Sequence, residues 1–128
     1  MDIHTHHLID QELCGQPVDL QPGYCRVSFT ATDRMVADDK GLVHGGFVFG
    51  LADYAAMLAV NDPHVVLGAA EVRFLKPVRI GAILSAVAEV ATKDGKKHTV
   101  TVVVSEGDQA IFQGTFTCFI LTRHVLDG

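Results

Sequence analysis

Between Tyr24 and Ala31 the chain alternates: Cys25, Val27, Phe29 and Ala31 fall on one side, Tyr24, Arg26, Ser28 and Thr30 on the other. A period of two marks a half-buried strand. A polar stretch, Thr32 to Gly41, separates it from a different pattern. Leu42-Val43-His44-Gly45-Gly46 leads into Phe47–Val60, where apolar residues cover every side of a helix and Asp53 is the single charge. A helix apolar all round is buried all round. Asn61-Asp62-Pro63 ends it, because proline cannot continue a helix and disfavours it at the residue before. Four strands follow: Val65–Lys76, closed by Pro77, then Ile83–Thr92, His98–Ser105 and Ala110–Thr122. Lys93-Asp94-Gly95-Lys96 holds the Asp-Gly pair of tight hairpins, and Glu106-Gly107-Asp108 turns the chain again. Upstream, Thr5–Leu13 reads as a short helix, and Gly15–Gly23, with Pro17 and Pro22, as a loop or a poor edge strand. Strands segregated from one helix predict an α+β domain with a largely antiparallel sheet.

The length of 128 residues, with 48% hydrophobic and 20% charged residues, matches one ordinary domain, 1–128, in which 1–22 is an N-terminal extension. One curved sheet covers about half of a helix that is apolar all round. The other half predicts a second subunit, hence a dimer or a dimer of dimers. The net charge of −5 argues against a nucleic-acid partner, which needs clustered Lys and Arg. Cys14, Cys25 and Cys118, odd in number and widely spaced, read as reduced thiols of a cytoplasmic protein. The polar, His-rich start is unlike a signal peptide. The apolar run is shorter than the ~20 residues of a membrane span, so no membrane association is expected.

Asp53 carries the chemistry of this pattern. A carboxylate sheathed in apolar groups titrates high or meets dedicated donors, and a desolvated carboxylate is a candidate base or nucleophile. The alternative is a helix carboxylate that meets a groove or a structural partner. Gly45 and Gly46 open the helix, where unpaired N–H groups and the helix dipole favour negative charge. Two glycines let a substrate approach that backbone, the recipe for an oxyanion hole. Gly46 and Asp53 share a helix face, roughly 10 Å apart along the axis. A site built from two subunits closes that gap, with the glycines of one and the aspartate of the other. His44 either donates to an acyl oxygen or caps the helix start. Tyr54, Met57, Phe47, Phe49 and Leu51 read first as core. Arg73, Lys76, Arg79, Lys93, Lys96 and Lys97 are candidate phosphate contacts, with Lys76 and Arg79, flanking Pro77, the stronger pair; the alternative is a solvated surface. His4, His6 and His7 invite a metal reading, but no further Cys or His cluster completes a site, so no metal is expected.

Val43-His44-Gly45-Gly46-Phe47 through Leu51-Ala52-Asp53, with Asn61 closing the helix, resembles the hotdog-fold acyl-CoA thioesterases of the PaaI type. Phe74-Leu75-Lys76-Pro77-Val78-Arg79-Ile80-Gly81 is similar to the strand-end segment of the same superfamily, and the resemblance runs from about Tyr24 to Leu121. It implies a long helix wrapped by a curved antiparallel sheet, sheets joined edge to edge in dimers, and two sites at the interface. It implies Asp53 as the acid on the helix, Gly45 as the N–H polarising the thioester carbonyl, and His44 beside it. Gly46, Asp38, Lys76 and Arg79 become the substrate contacts, the substrate an acyl-CoA, and no cofactor is needed beyond the coenzyme A of the substrate. Several relatives carry Asn where this chain has Asp38, and an ionised carboxylate cannot donate a hydrogen bond. Two rival readings are a non-catalytic acyl-CoA-binding module, similar to the FapR lipid regulators, and a hotdog dehydratase, whose His-Phe-Pro motif is absent. No helix-turn-helix pattern precedes the domain, so the chain by itself is not expected to read DNA.

Overall fold

The computed structural model describes residues 1–128. A one-turn helix α1 (Gln11–Cys14) precedes strands β1 (Gln16–Gln21) and β2 (Tyr24–Thr30), the long helix α2 (Gly45–Val60), and strands β3 (Val65–Phe74), β4 (Ile83–Asp94), β5 (Lys97–Glu106) and β6 (Gln109–Ile120). The strands form one antiparallel sheet in the order β1-β2-β4-β5-β6-β3. Six strands at about 4.8 Å span roughly 24 Å, twice the width of a helix. Yet α2 touches all six, which only a sheet curved around it allows.

The alternation seen in the sequence is what seats the helix. Cys25, Val27 and Phe29 of β2, Leu84, Ala86 and Ala88 of β4, Val100, Val102 and Val104 of β5, and Phe112, Phe116 and Cys118 of β6 all point at α2 and are buried. Ala52, Ala55, Ala56 and Ala59 keep the helix surface thin where it meets them, so helix and sheet approach closely. His98, on β5, is the one buried histidine, and its Nδ1 has no partner. Burial, then Lys93, hold its imidazole below the usual range, against an opposing effect of Asp62.

Two local readings are corrected, and a third is settled in favour of one of its alternatives. The first helix is confined to Gln11–Cys14 rather than Thr5–Leu13, because the Asp10 carboxylate accepts the N–H groups of Glu12 (2.9 Å) and Leu13 (3.2 Å) and so begins the helix there. Of the two readings of Gly15–Gly23, loop or poor edge strand, the structure has the edge strand, with a register shift between Pro17 and Asp19. In the β4–β5 hairpin Asp94 pairs with Lys97, so the two-residue turn is Gly95-Lys96 and the Asp-Gly pair straddles its first corner. Gly95 (φ 60°) supplies the left-handed first position, as Gly107 (φ 59°) does in the β5–β6 turn.

A fourth difference concerns what covers α2. Its sheet-free side was expected to need a second subunit. Part of that side is covered by the chain's own N-terminal segment. The His4 N–H donates to Asn61 Oδ1 and Asn61 Nδ2 to the Asp2 carbonyl, each at 2.8 Å. The His6 ring lies against Tyr54, and Gln11 Nε2 donates to the Tyr54 hydroxyl at 3.4 Å. Besides Gly45, Phe47 and Val60 towards its ends, what stays partly open on α2 is one stripe, Gly46, Phe49, Gly50 and Asp53, at the i, i+3, i+4, i+7 spacing of a single helix face.

Candidate active site

Three segments converge on the first turn of α2. The Val43 N–H donates to the Val78 carbonyl and the His44 N–H to the Met35 carbonyl, both at 2.9 Å, and Leu42 bridges to Arg79. The approach to the helix is therefore clamped from both sides. Within the helix the first backbone bond back to this segment runs from Phe47 to the His44 carbonyl, at 3.1 Å. The N–H groups of Gly45 and Gly46 have no partner, as the first positions of a helix must unless something caps them. His44 does not cap with its side chain: the ring is exposed and packs edge-on to Phe47, with centroids 6.1 Å apart.

Both glycines at the helix start are closely approached by ring atoms. A Cβ at Gly45 would lie 3.1 Å from Cε1 of Phe74, and one at Gly46 would lie 3.0 Å from the His44 ring. Beside Gly45 is a pocket of about 180 Å³ whose other walls are Val43, Val48, Phe74, Leu75, Lys76, Pro77, Val78 and Ile111. Lys76 and Arg79 are exposed, and the single ion pair of the protein joins Arg34 to Glu12, so both cations are free. Lys76 lies at the pocket, and Arg79 lies against the loop that feeds the helix. Arg73, Lys93, Lys96 and Lys97 are exposed as well, the three lysines grouped at the β4–β5 hairpin.

Asp53 lies two turns further along, roughly 12 Å from Gly45 along the axis. It is half-buried, and its Oδ1 is enclosed with no hydrogen-bond partner. Burial pushes its carboxyl up from 3.8 to about 6. Its field also helps raise the thiols of Cys14 and Cys118, although burial is the larger cause in both. Asp53 is not among the residues lining the Gly45 pocket, so one chain holds the two halves of the anticipated chemistry apart. Asp38 has a local occupation: its Oδ1 accepts the N–H groups of Lys40 (2.9 Å) and Leu42 (3.2 Å) and folds the loop that delivers Val43 and His44. No three His, Cys, Asp or Glu side chains are grouped to hold a metal ion; His4, His6 and His7 are exposed along the N-terminal segment. Sequence reading placed Phe74 in the segment that carries the resemblance but gave it no role at the site. Its place against Gly45 depends on a pairing with Phe112, 38 positions away, that no local pattern carries.

A model of the thioesterase superfamily matches residues 40–112, which hold Gly45, Asp53 and the pocket wall. The chain belongs to that superfamily. Its curved antiparallel sheet around one long helix is the hotdog fold that the resemblance implied. Among solved structures, an uncharacterized protein from Pyrococcus horikoshii shares 50% of its residues with this chain, with a TM-score of 0.98 over 99% of this chain and 98% of that one. A protein named methylthioribose-1-phosphate isomerase from Aquifex aeolicus is 51% identical over 94% of this chain, which spans 27% of that protein. The transcription factor FapR of Thermoanaerobacter is 31% identical over 82% of this chain and 53% of its own length. The chain thus spans between a quarter and about three-fifths of the curated relatives it matches. A hypothetical thioesterase from Streptococcus pneumoniae, solved with coenzyme A, shares the fold at 18% identity, with a TM-score of 0.77 over 85% of this chain and 87% of that one. No helix is long and apolar enough to cross a membrane.

Proposed function

We propose that this protein hydrolyses acyl-CoA thioesters at sites shared by two copies of the chain. The observation that carries the reading is a buried, unpartnered carboxylate oxygen on the same helix whose first N–H groups are also unpartnered. Buried polar groups are nearly always satisfied, and the exceptions concentrate at functional sites. The thioester carbonyl oxygen accepts the Gly45 N–H, helped by the helix dipole, with Gly46 leaving the approach clear. Asp53 of the partner subunit then either removes a proton from water, whose oxygen attacks the carbonyl carbon, or attacks that carbon itself and is released by water. In both routes the carbon–sulfur bond breaks, coenzyme A leaves with a proton as its thiol, and the acyl group leaves as a carboxylate. A carboxyl raised to about 6 by burial is ionised at neutral pH and more basic than an exposed one. The outer edge of β3 has no strand beside it, which supports joining of two sheets there. Lys76 and Arg79 meet the phosphates, and a related fold is known to accommodate coenzyme A.

A panel of acyl-CoAs assayed for free thiol tests this, with sedimentation on the same sample. Thiol release by a dimer or larger assembly supports the reading. A stable monomer that is inactive on the whole panel overturns it. The similarity to FapR favours one other reading, an acyl-CoA-binding module without turnover. That reading requires saturable acyl-CoA binding with no thiol released.

A further inference from the structure

Phe74 is a large aromatic left 54% exposed at the end of an edge strand, which core packing alone does not explain. Its backbone is fixed. It pairs with Phe112 across β3 and β6, and the next two N–H groups, of Leu75 (2.8 Å) and Lys76 (3.2 Å), converge on the Ile111 carbonyl. Its ring is fixed too. It stands edge-on to the fully buried Phe112 ring, with centroids 5.1 Å apart. The ring also lies against Gly45, where an added Cβ would come within 3.1 Å of its Cε1, closer than most such contacts.

The ring is thus one wall of the pocket at the helix start, and the other walls are almost all aliphatic, with Val43, Val48, Val78 and Ile111 buried. Apart from the exposed Lys76 at the rim, no charged side chain lines it, so a charged group seated deeper than the rim would lose its hydration without a partner. The volume is about 180 Å³. An apolar cavity of about 150 Å³ holds a benzene molecule, so this one takes a group of about six carbon atoms.

We propose that Phe74 sets the size of the acyl group, restricting the site to short apolar acyl chains by closing the pocket next to the Gly45 N–H. This rests on the thioesterase reading above, in which the carbonyl oxygen lies on that N–H. The carbons beyond the carbonyl enter the pocket, and the ring stops a chain that is too long. A methylene misplaced in a hydrophobic pocket changes selectivity by roughly tenfold or more.

The test is kcat/KM of the wild type, Phe74→Leu and Phe74→Ala across straight-chain acyl-CoAs from acetyl to palmitoyl. The wild type should lose efficiency beyond about six carbons. Phe74→Ala should raise the ratio of long-chain to short-chain efficiency by about tenfold or more, with Phe74→Leu between. An unchanged chain-length profile in a folded variant overturns the assignment while leaving the thioesterase reading intact. If Phe74→Ala does not fold, Phe74→Leu, which keeps an apolar wall, decides alone. If the wild type releases no thiol, calorimetric binding of the same series decides. A length preference that relaxes in the variants upholds the role of Phe74 without catalysis, and no preference, or no acyl-CoA bound, overturns it.

Discussion

The two halves of α2 are built to opposite rules. From Tyr54 to Ala59 every residue is buried, and the helix ends on Asn61 in the left-handed conformation with its N–H on the Met57 carbonyl at 2.8 Å. The Asn61 side chain then ties down the N-terminal segment on both of its polar atoms. The first half has no side-chain cap, three glycines in six residues, and two N–H groups without partners. Glycine inside a helix costs roughly 0.5–1 kcal/mol relative to alanine, and a helix cap is typically worth about 1 kcal/mol. The chain forgoes that stability at one end only. Asp53 stands at the border, the residue whose burial is least compensated. One half anchors the fold, and the other is shaped for something to dock.

The strongest way to break this comparison is Asp53→Asn. Turnover should fall by about 10²-fold or more, the scale of a lost acid–base group. The fold should persist with an equal or higher melting temperature, because an amide is cheaper to bury than an unpaired charge. Undiminished hydrolysis by a folded variant would place Asp53 with the structural half. The next test addresses the anchoring half. Leu58→Ala, at a fully buried site, should cost about 2–5 kcal/mol in denaturant titrations, with turnover per folded molecule retained. At the open half, Gly45→Ala should do the reverse. A Cβ against the Phe74 ring blocks the carbonyl's approach, and a displacement of this kind costs tenfold or more in rate, while helix stability holds or rises by up to about 1 kcal/mol.

A pH series sharpens the border. Activity should rise with pH to half its maximum at about 6, as the Asp53 carboxyl ionises. Stability should move the other way. Between 3.8 and about 6 the native chain holds a proton at Asp53 that the unfolded chain has released. Stability therefore falls as pH rises through that window, and Asp53→Asn should remove this slope. The smallest effect belongs to the exposed cations: Lys76→Ala with Arg79→Ala should weaken acyl-CoA binding a few-fold, with less salt dependence, and leave the melting temperature unchanged.

Much of the site was legible because its signals are local. A lone charge in an apolar run and two glycines at a helix start are visible in a window of ten residues. The pairing of the Asn61-Asp62-Pro63 stop with a buried helix was equally plain. Phe74 was not legible, since its neighbours Gly45 and Phe112 are brought to it by the sheet. Asp38 was read through the resemblance as a substrate contact, and the loop contacts of its Oδ1 to two backbone N–H groups were not legible. His44 was left open between donor and cap, and its ring makes no cap bond.

By itself the sequence determined the elements, because strand and helix periods are properties of neighbouring residues and survive without the rest of the molecule. It also determined which face of the Tyr24–Ala31 strand is buried, and that Asp53 and the glycines share one helix. Only the tertiary structure decided the strand order, in which β3 crosses to the far edge and pairs with β6 rather than with β4. That choice closes the pocket with Phe74. It also decided that the N-terminal segment lies over α2 at Tyr54 and Asn61. Both outcomes depend on contacts between residues tens of positions apart, whose free energy comes from burying surfaces against each other once the chain has closed around the helix.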